Sequence, residues 1–82
     1  MAAKKESPKE ARTLARKLGF AIRKARTDAG ISQDELAWRS EIHRAYMGVI
    51  ERGEQNITIN SLLRFAEVFE CPLSKIMADA GL

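Results

Sequence analysis

The chain has 82 residues, 45% of them hydrophobic and 30% charged, and a net charge of +3, which describes one small domain whose core is adequate but thin without metals or disulfides. No apolar run approaches the roughly 18 residues of a membrane span, and the polar opening MAAKKESPKE lacks the apolar stretch of a signal peptide. The single cysteine, Cys71, excludes an intrachain disulfide; it is expected as a packed side chain in a protein of the reducing cytoplasm.

Charge is unevenly spread. Residues 1–30 carry nine Lys and Arg against three Asp and Glu, whereas residues 31–82 carry five against eight. A basic first third suits a polyanionic partner, although a basic helix that merely stays soluble has the same pattern.

In chain order, residues 1–10 read as a mobile basic arm (Lys4, Lys5 and Lys9, with Arg12 just beyond) that either solubilises the chain or trails along DNA. Ser7 and Pro8 form a cap and first-turn proline for a first helix. Its apolar stripe is Leu14, Leu18, Ala21, Ile22 and Ala25, and it stops near Gly30. Ser32 and Glu35 make a capping box for a short second helix, with Leu36 and Ala37 inward, ending by Ser40 and Glu41. A third helix spans about His43 to Arg52 and is closed by Gly53. After the loop EQNIT, Thr58 caps a fourth helix with Ile59, Leu62, Ala66 and Phe69 inward and Leu63 and Phe65 alongside. Cys71-Pro72 breaks that helix, and Pro72 opens a fifth bearing Leu73, Ile76 and Met77. The expected fold is all-α, a compact five-helix bundle over residues 11–82.

The third helix has two faces. At about 100° per residue from Arg44, the residues His43, Tyr46, Met47 and Ile50 fall between roughly 200° and 300°. Arg44, Ala45, Gly48, Val49 and Arg52 fall between roughly 0° and 140°. The second set places small residues between arginines, which suits close approach to a DNA major groove; a solvated face or a protein contact has the same composition. The surrounding spacing favours DNA. Ala37 at the helix crossing, a turn near Glu41, and Ile42, Met47 and Ile50 beyond it make a helix-turn-helix frame.

On the stretch GISQDELAWRSEIHRAYMGVIERGEQNITINSLLRFAEVF the chain resembles the lambda-repressor and Cro-like (XRE) helix-turn-helix family. Within it, HRAYMGVIERGEQNITINSL is similar to the controller proteins of restriction–modification systems. That resemblance implies a sequence-specific transcriptional regulator without catalysis or cofactor. It implies a homodimer on double-stranded operator DNA of palindromic form near its own promoter, with RNA polymerase as a further partner and no membrane. Arg44 would meet a guanine, Ala45 a thymine methyl, and Gly48 and Val49 would complete the base contacts. Gln33, His43, Tyr46, Arg52, Gln55 and Asn56 would hold the DNA backbone, with Tyr46 equally readable as a half-buried core residue. Arg26 and Glu51 would form a structural ion pair. Phe69, Leu73, Ile76, Met77 and Leu82 are the candidate dimer surface, with completion of the monomer's own core as the other use for them.

The stretch departs from the family at four positions. Glu41 replaces a usual glycine in the turn, Gly48 a common serine, and His43 and Ala45 the controllers' acidic residue and threonine. The operator sequence therefore does not carry over. Trp38 is expected to pack on the first helix rather than rest on a DNA sugar. His43 has no second histidine with which to hold a metal. A phage-type repressor, an antitoxin, and an adaptor that has lost DNA readout share the same frame.

Overall fold

Five α-helices follow one another in the computed structural model, which describes residues 8–82: α1 (Pro8–Asp28), α2 (Gln33–Ser40), α3 (Arg44–Glu51), α4 (Ile59–Val68) and α5 (Leu73–Asp79). The expected arm is therefore cut short, because residues 8–10 already belong to α1; Lys4, Lys5 and the Ser7 cap lie outside the described residues. Helix α1 packs on α3 and α5, α2 on α3 and α4, and α4 on α5.

The core takes side chains from every helix. Ile22, Leu36, Met47, Ile50 and Phe65 are fully buried, joined by Leu18, Ala21, Ala37, Leu62 and Ala66 and, from the last helix and its end, Ile76 and Ala80. Each large side chain contributes about 1.5–3 kcal/mol by leaving water. Two expectations for inward residues are corrected. Leu14 is exposed and Ala15 takes its place in the core, while Ile59, at the first position of α4, is 63% exposed.

Caps set the helix starts. The Ser32 hydroxyl accepts from the Glu35 N–H at 3.0 Å, and Thr58 does the same for Ser61 at 3.0 Å. Only half of the predicted capping box forms, because the Glu35 carboxylate instead accepts from Arg39 Nε at 2.6 Å, one turn on.

All five helices end in one motif. The residue after the last turn turns left-handed, and the N–H following it reaches back five residues. Gly30, Glu41, Gly53, Glu70 and Gly81 hold the left-handed position, with φ between 55° and 80°. The returning bonds run from Ile31 to Arg26, Ile42 to Ala37, Glu54 to Val49, Cys71 to Ala66 and Leu82 to Met77, at 2.9–3.3 Å. The absent turn glycine thus changes the strain and not the geometry. Arg64 of α4 supports the same turn, its Nη1 donating to the carbonyls of Ser40 at 3.4 Å and Glu41 at 3.2 Å.

Helix α3 is fixed to α1 by backbone contact and by one polar cluster. A side chain on Gly19 would meet the Ile50 carbonyl at 2.3 Å, and one on Gly53 would meet the Arg16 Cα at 2.6 Å, so only glycine admits this approach. Beside it, Arg26 donates from Nε to Glu51 Oε2 at 2.6 Å and from Nη2 to Oε1 at 3.1 Å. Gln33 Nε2 adds a third bond to Glu51 at 2.9 Å, and Arg26 Nη1 holds the Ile31 carbonyl at 2.9 Å. The expected ion pair is present, and it joins α1, the following loop, α2 and α3.

Two tests follow from this architecture. Glu41→Gly and Glu70→Gly should each raise stability by about 0.5–1 kcal/mol in urea titrations, since relief of left-handed strain outweighs glycine's entropy. Arg26→Ala should cost roughly 3 kcal/mol by leaving Glu51 buried without its cation, whereas the double change Arg26→Met with Glu51→Leu should recover most of that loss in the same titration.

Candidate nucleic-acid interface

Helix α3 has a packed and an outer face, but His43, expected on the packed one, is exposed, and Gly48, expected on the outer one, is buried. Met47 and Ile50 are buried, and half-buried Tyr46 packs against the core while its hydroxyl donates to the Asn56 carbonyl at a long 3.3 Å. Tyr46 therefore ties α3 to the loop that follows it. On the other side Arg44, Ala45 and Arg52 are exposed and Val49 is half-buried. His43 is the exposed N-cap residue and makes no side-chain capping bond.

Gly48 corrects the exposed-face expectation, for it is buried. Two guanidinium groups lie over it: a side chain there would meet Arg52 Nη1 at 3.1 Å and Arg44 Nη1 at 3.7 Å. The missing Cβ gives the Arg52 guanidinium room over the middle of the helix, with Arg44 Nη1 beside it at ordinary contact distance, which gives the departure from the family's serine a physical consequence.

Each arginine has an acidic partner. Arg44 Nε donates to Asp34 Oδ1 in the first turn of α2. Arg52 donates from Nε and Nη2 to both Glu54 oxygens at 2.9 and 3.1 Å. The latter hydrogen bonds hold the Glu54 carboxyl below the usual carboxylate range and raise the Arg52 guanidinium above its own. Glu54 has a depressed pKa, so the pair persists at every pH above the carboxylate range and loosens only as acid protonates Glu54. At neutral pH the Nε side of Arg52 is therefore taken by Glu54, while Nη1 makes no bond to it.

The backbone candidates divide. Gln33 turns its amide inward to Glu51, which leaves the first-turn N–H groups of α2 as what that end can offer an anion. Gln55 and Asn56 are exposed, and α1 brings Arg12 to the same shallow depression, so part of the basic first third borders the α3–α4 loop. Trp38 corrects its expectation, being 78% exposed rather than packed on α1.

The candidate dimer residues divide too. Ile76 is a core residue at 3% exposure and is corrected accordingly. Phe69, Leu73 and Met77 are half-buried against the core, and Leu82 is exposed. Ile59 and Leu63, one turn apart on α4, are an exposed apolar pair that the helical pattern had placed inward or alongside. Asp34 and Glu54 escaped the sequence reading because their partners lie across a turn rather than at helical spacing. Among the described residues no group of His, Cys, Asp and Glu is arranged to hold a metal ion, and no helix is long and apolar enough to cross a membrane.

Gly48→Ala separates stability from recognition. The substitution should stabilise the fold by about 0.5–1 kcal/mol through helix propensity, since it displaces only a flexible side-chain end. It should also weaken DNA binding by shifting the Arg52 guanidinium that lies over it. Thermal melts paired with duplex titrations would read both effects.

Comparison with known proteins gives this geometry a family. A model described as helix-turn-helix matches residues 22–76. The control protein C.SmaI of Serratia marcescens is 34% identical over 61 residues, 74% of this chain and 73% of that protein. Among solved structures, the restriction-modification controller protein C.AhdI from Aeromonas hydrophila is similar with a TM-score of 0.73 at 32% identity, covering 76% of this chain and 94% of its own. The clp gene regulator ClgR from Corynebacterium glutamicum reaches a TM-score of 0.80 at 26% identity, covering 83% and 72%. The matched span contains both helices of the frame and the core that orients them. The chain belongs to the helix-turn-helix family and is a DNA-binding transcriptional regulator, in a family of regulators rather than enzymes.

Proposed function

We propose that the protein is the controller of a restriction–modification system, a cytoplasmic homodimer that binds a palindromic operator near its own promoter. The observation that carries this reading is the outer face of α3, where Arg44 and Arg52 lie across Gly48 beside exposed Ala45 and half-buried Val49. A helix with a low centre and a guanidinium at each end fits a major groove; Arg44 is assigned to guanine, Ala45 to a thymine methyl, and Val49 to the deeper apolar contact. Arg52, Gln55, Asn56, His43 and the N-terminus of α2 are assigned to the backbone on either side. Likeness to C.SmaI and C.AhdI supports the controller role in particular.

One such helix reads few base pairs, so useful specificity calls for two copies with their α3 helices about 34 Å apart on one face of the duplex. Phe69, Leu73, Met77 and Leu82 supply the partly covered apolar surface for that pairing, with Ile76 holding it from the core side. A dimer bound at a promoter would stand beside RNA polymerase. No cofactor enters this reading. Likeness to ClgR favours a second one, a regulator of other genes that uses the same interface, and the genes flanking this one distinguish the two.

The test is a titration of the duplex immediately upstream of the gene against a scrambled duplex of equal length. Cooperative preference for the upstream duplex is expected, and affinity should fall steeply between 50 and 200 mM salt, with a log–log slope of about −0.9 per phosphate neutralised. Arg44→Ala should remove about 1–3 kcal/mol of the preference. Equal, weak, salt-insensitive behaviour toward both duplexes would put an adaptor that binds protein in place of this reading.

A further inference from the structure

The Asp34–Arg44 pair is left over once α3 has been assigned to the groove, and folding stability does not explain it. Both partners are largely exposed, with 53% of the Arg44 side chain and 79% of the Asp34 side chain in solvent, and such pairs add little to stability. A carboxylate at the edge of a DNA-binding surface also opposes binding. Its geometry shows what it accomplishes instead.

Asp34 Oδ1 accepts from Arg44 Nε and from neither terminal nitrogen. Arg44 Nη1 lies over Gly48, toward the centre of the outer face, where a side chain would come within 3.7 Å of it. Held by Nε, the guanidinium keeps its end-on fork of Nη1 and Nη2 directed away from α2. That fork matches the O6 and N7 acceptors of one guanine. Arg52 is held differently: Glu54 takes the Nε and Nη2 side together by two bonds, where Asp34 takes Arg44 by Nε alone. The two arginines frame the same glycine, and Arg44 is the one tied to the first turn of α2.

We propose that Asp34 is a specificity-determining positioning residue: its carboxylate holds Arg44 by Nε so that the terminal fork meets a guanine, and its charge penalises the alternative in which Arg44 settles on a phosphate. The inference rests on the reading that the outer face of α3 enters the major groove. Without Asp34, a flexible arginine with several rotamers would find the nearest phosphate as good a bidentate acceptor as any base. With it, that alternative places a phosphate beside a carboxylate. Specificity is a difference of two affinities, and Asp34 acts on both, raising the one for the right base and lowering the one for the backbone. Water excluded from the groove strengthens the pair relative to its exposed state.

The experiment selects binding sites from a pool of randomised duplexes with the full chain, its Asp34→Ala and Asp34→Asn variants, and Arg44→Ala. Affinities are then measured for the selected duplex, for single-base changes, and for a scrambled duplex. The wild type should prefer guanine at one position of each half-site by on the order of ten- to a hundredfold. Arg44→Ala identifies that position by losing the preference there alone. Asp34→Ala should lose about tenfold at the same position and leave the others intact, while binding the scrambled duplex about two- to fivefold more tightly as a negative charge is removed. Asp34→Asn keeps an acceptor oxygen without the charge; it should recover part of the guanine preference and none of the discrimination against scrambled DNA. Unchanged melting temperatures in Asp34→Ala and Asp34→Asn would exclude a folding cause. Retention of the guanine preference by Asp34→Ala would overturn the role of Asp34 and leave the groove reading standing. A wild type that selects no sequence would overturn both.

Discussion

The orientation of α3 depends on Glu51. A carboxylate on the last residue of a helix opposes the helix dipole, so its presence there does nothing for α3 in isolation. Its value is tertiary. Its side chain is 2% exposed and takes two bonds from Arg26 and one from Gln33, while Arg26 also holds the Ile31 carbonyl. One buried anion therefore fixes the end of α1, the start of α2 and the end of α3 relative to one another. Gly19 and Gly53 complete the arrangement by letting α1 cross α3 backbone to backbone. Apolar packing alone would hold these helices together; the directional bonds and the two glycines hold them at one angle.

The surface charge is arranged around that frame. The exposed arginines of α2 and α3 are matched locally, Arg44 with Asp34, Arg52 with Glu54 and Arg39 with Glu35, and all three pairs are exposed. Exchanging a carboxylate for a phosphate gives a smaller net gain than an unmatched cation would. On the proposed reading of α3, indiscriminate affinity is thereby reduced, and a larger share of binding falls to contacts that depend on sequence. The excess positive charge lies on α1, which passes the end of α3 and brings Arg12 and Arg16 to the α3–α4 loop. The charge asymmetry of the chain becomes an asymmetry between a basic α1 and a charge-balanced outer side of α3.

Much of this is legible in the sequence. Caps at Ser32 and Thr58, stops at Gly30 and Gly53, and the apolar sets of α3 and α5 are local signals, and they locate the helices to within a residue or two. Local pattern misleads where a distant partner decides. Leu14 and Ala15 both lie near the stripe of α1, and the close crossing at Gly19 favours the smaller residue. Gln33 has the residue type and place of a phosphate ligand, yet a carboxylate 18 residues away claims its amide. Trp38 is apolar enough to suggest packing, but hydrophobicity does not oblige a side chain to be buried, and α2 already fills its inner side with Leu36 and Ala37. Ile59 fits the period of α4 as well as Leu62 does; helical phase alone does not distinguish a residue at the first position, beyond the reach of the packed neighbour, from one a turn later.

Glu41 shows why a departure from family pattern need not disturb the frame. A glycine is favoured at a left-handed helix end because it has no Cβ, not because the turn needs its flexibility. Here the turn is over-determined. The N–H groups of Glu41 and Ile42 return to Trp38 and Ala37, Ala37 and Ile42 pack against the core, and Arg64 holds the carbonyls of Ser40 and Glu41 from α4. Several independent contacts specify one conformation, so a residue that dislikes it by a kcal/mol or so shifts stability without shifting geometry. Glu70 does the same at the end of α4, with its own returning bond from Cys71 to Ala66. The angle between α2 and α3 is therefore a property of the packed core and its polar supports. The identity of the turn residue tunes how stable that angle is, and leaves the direction in which α3 faces unchanged.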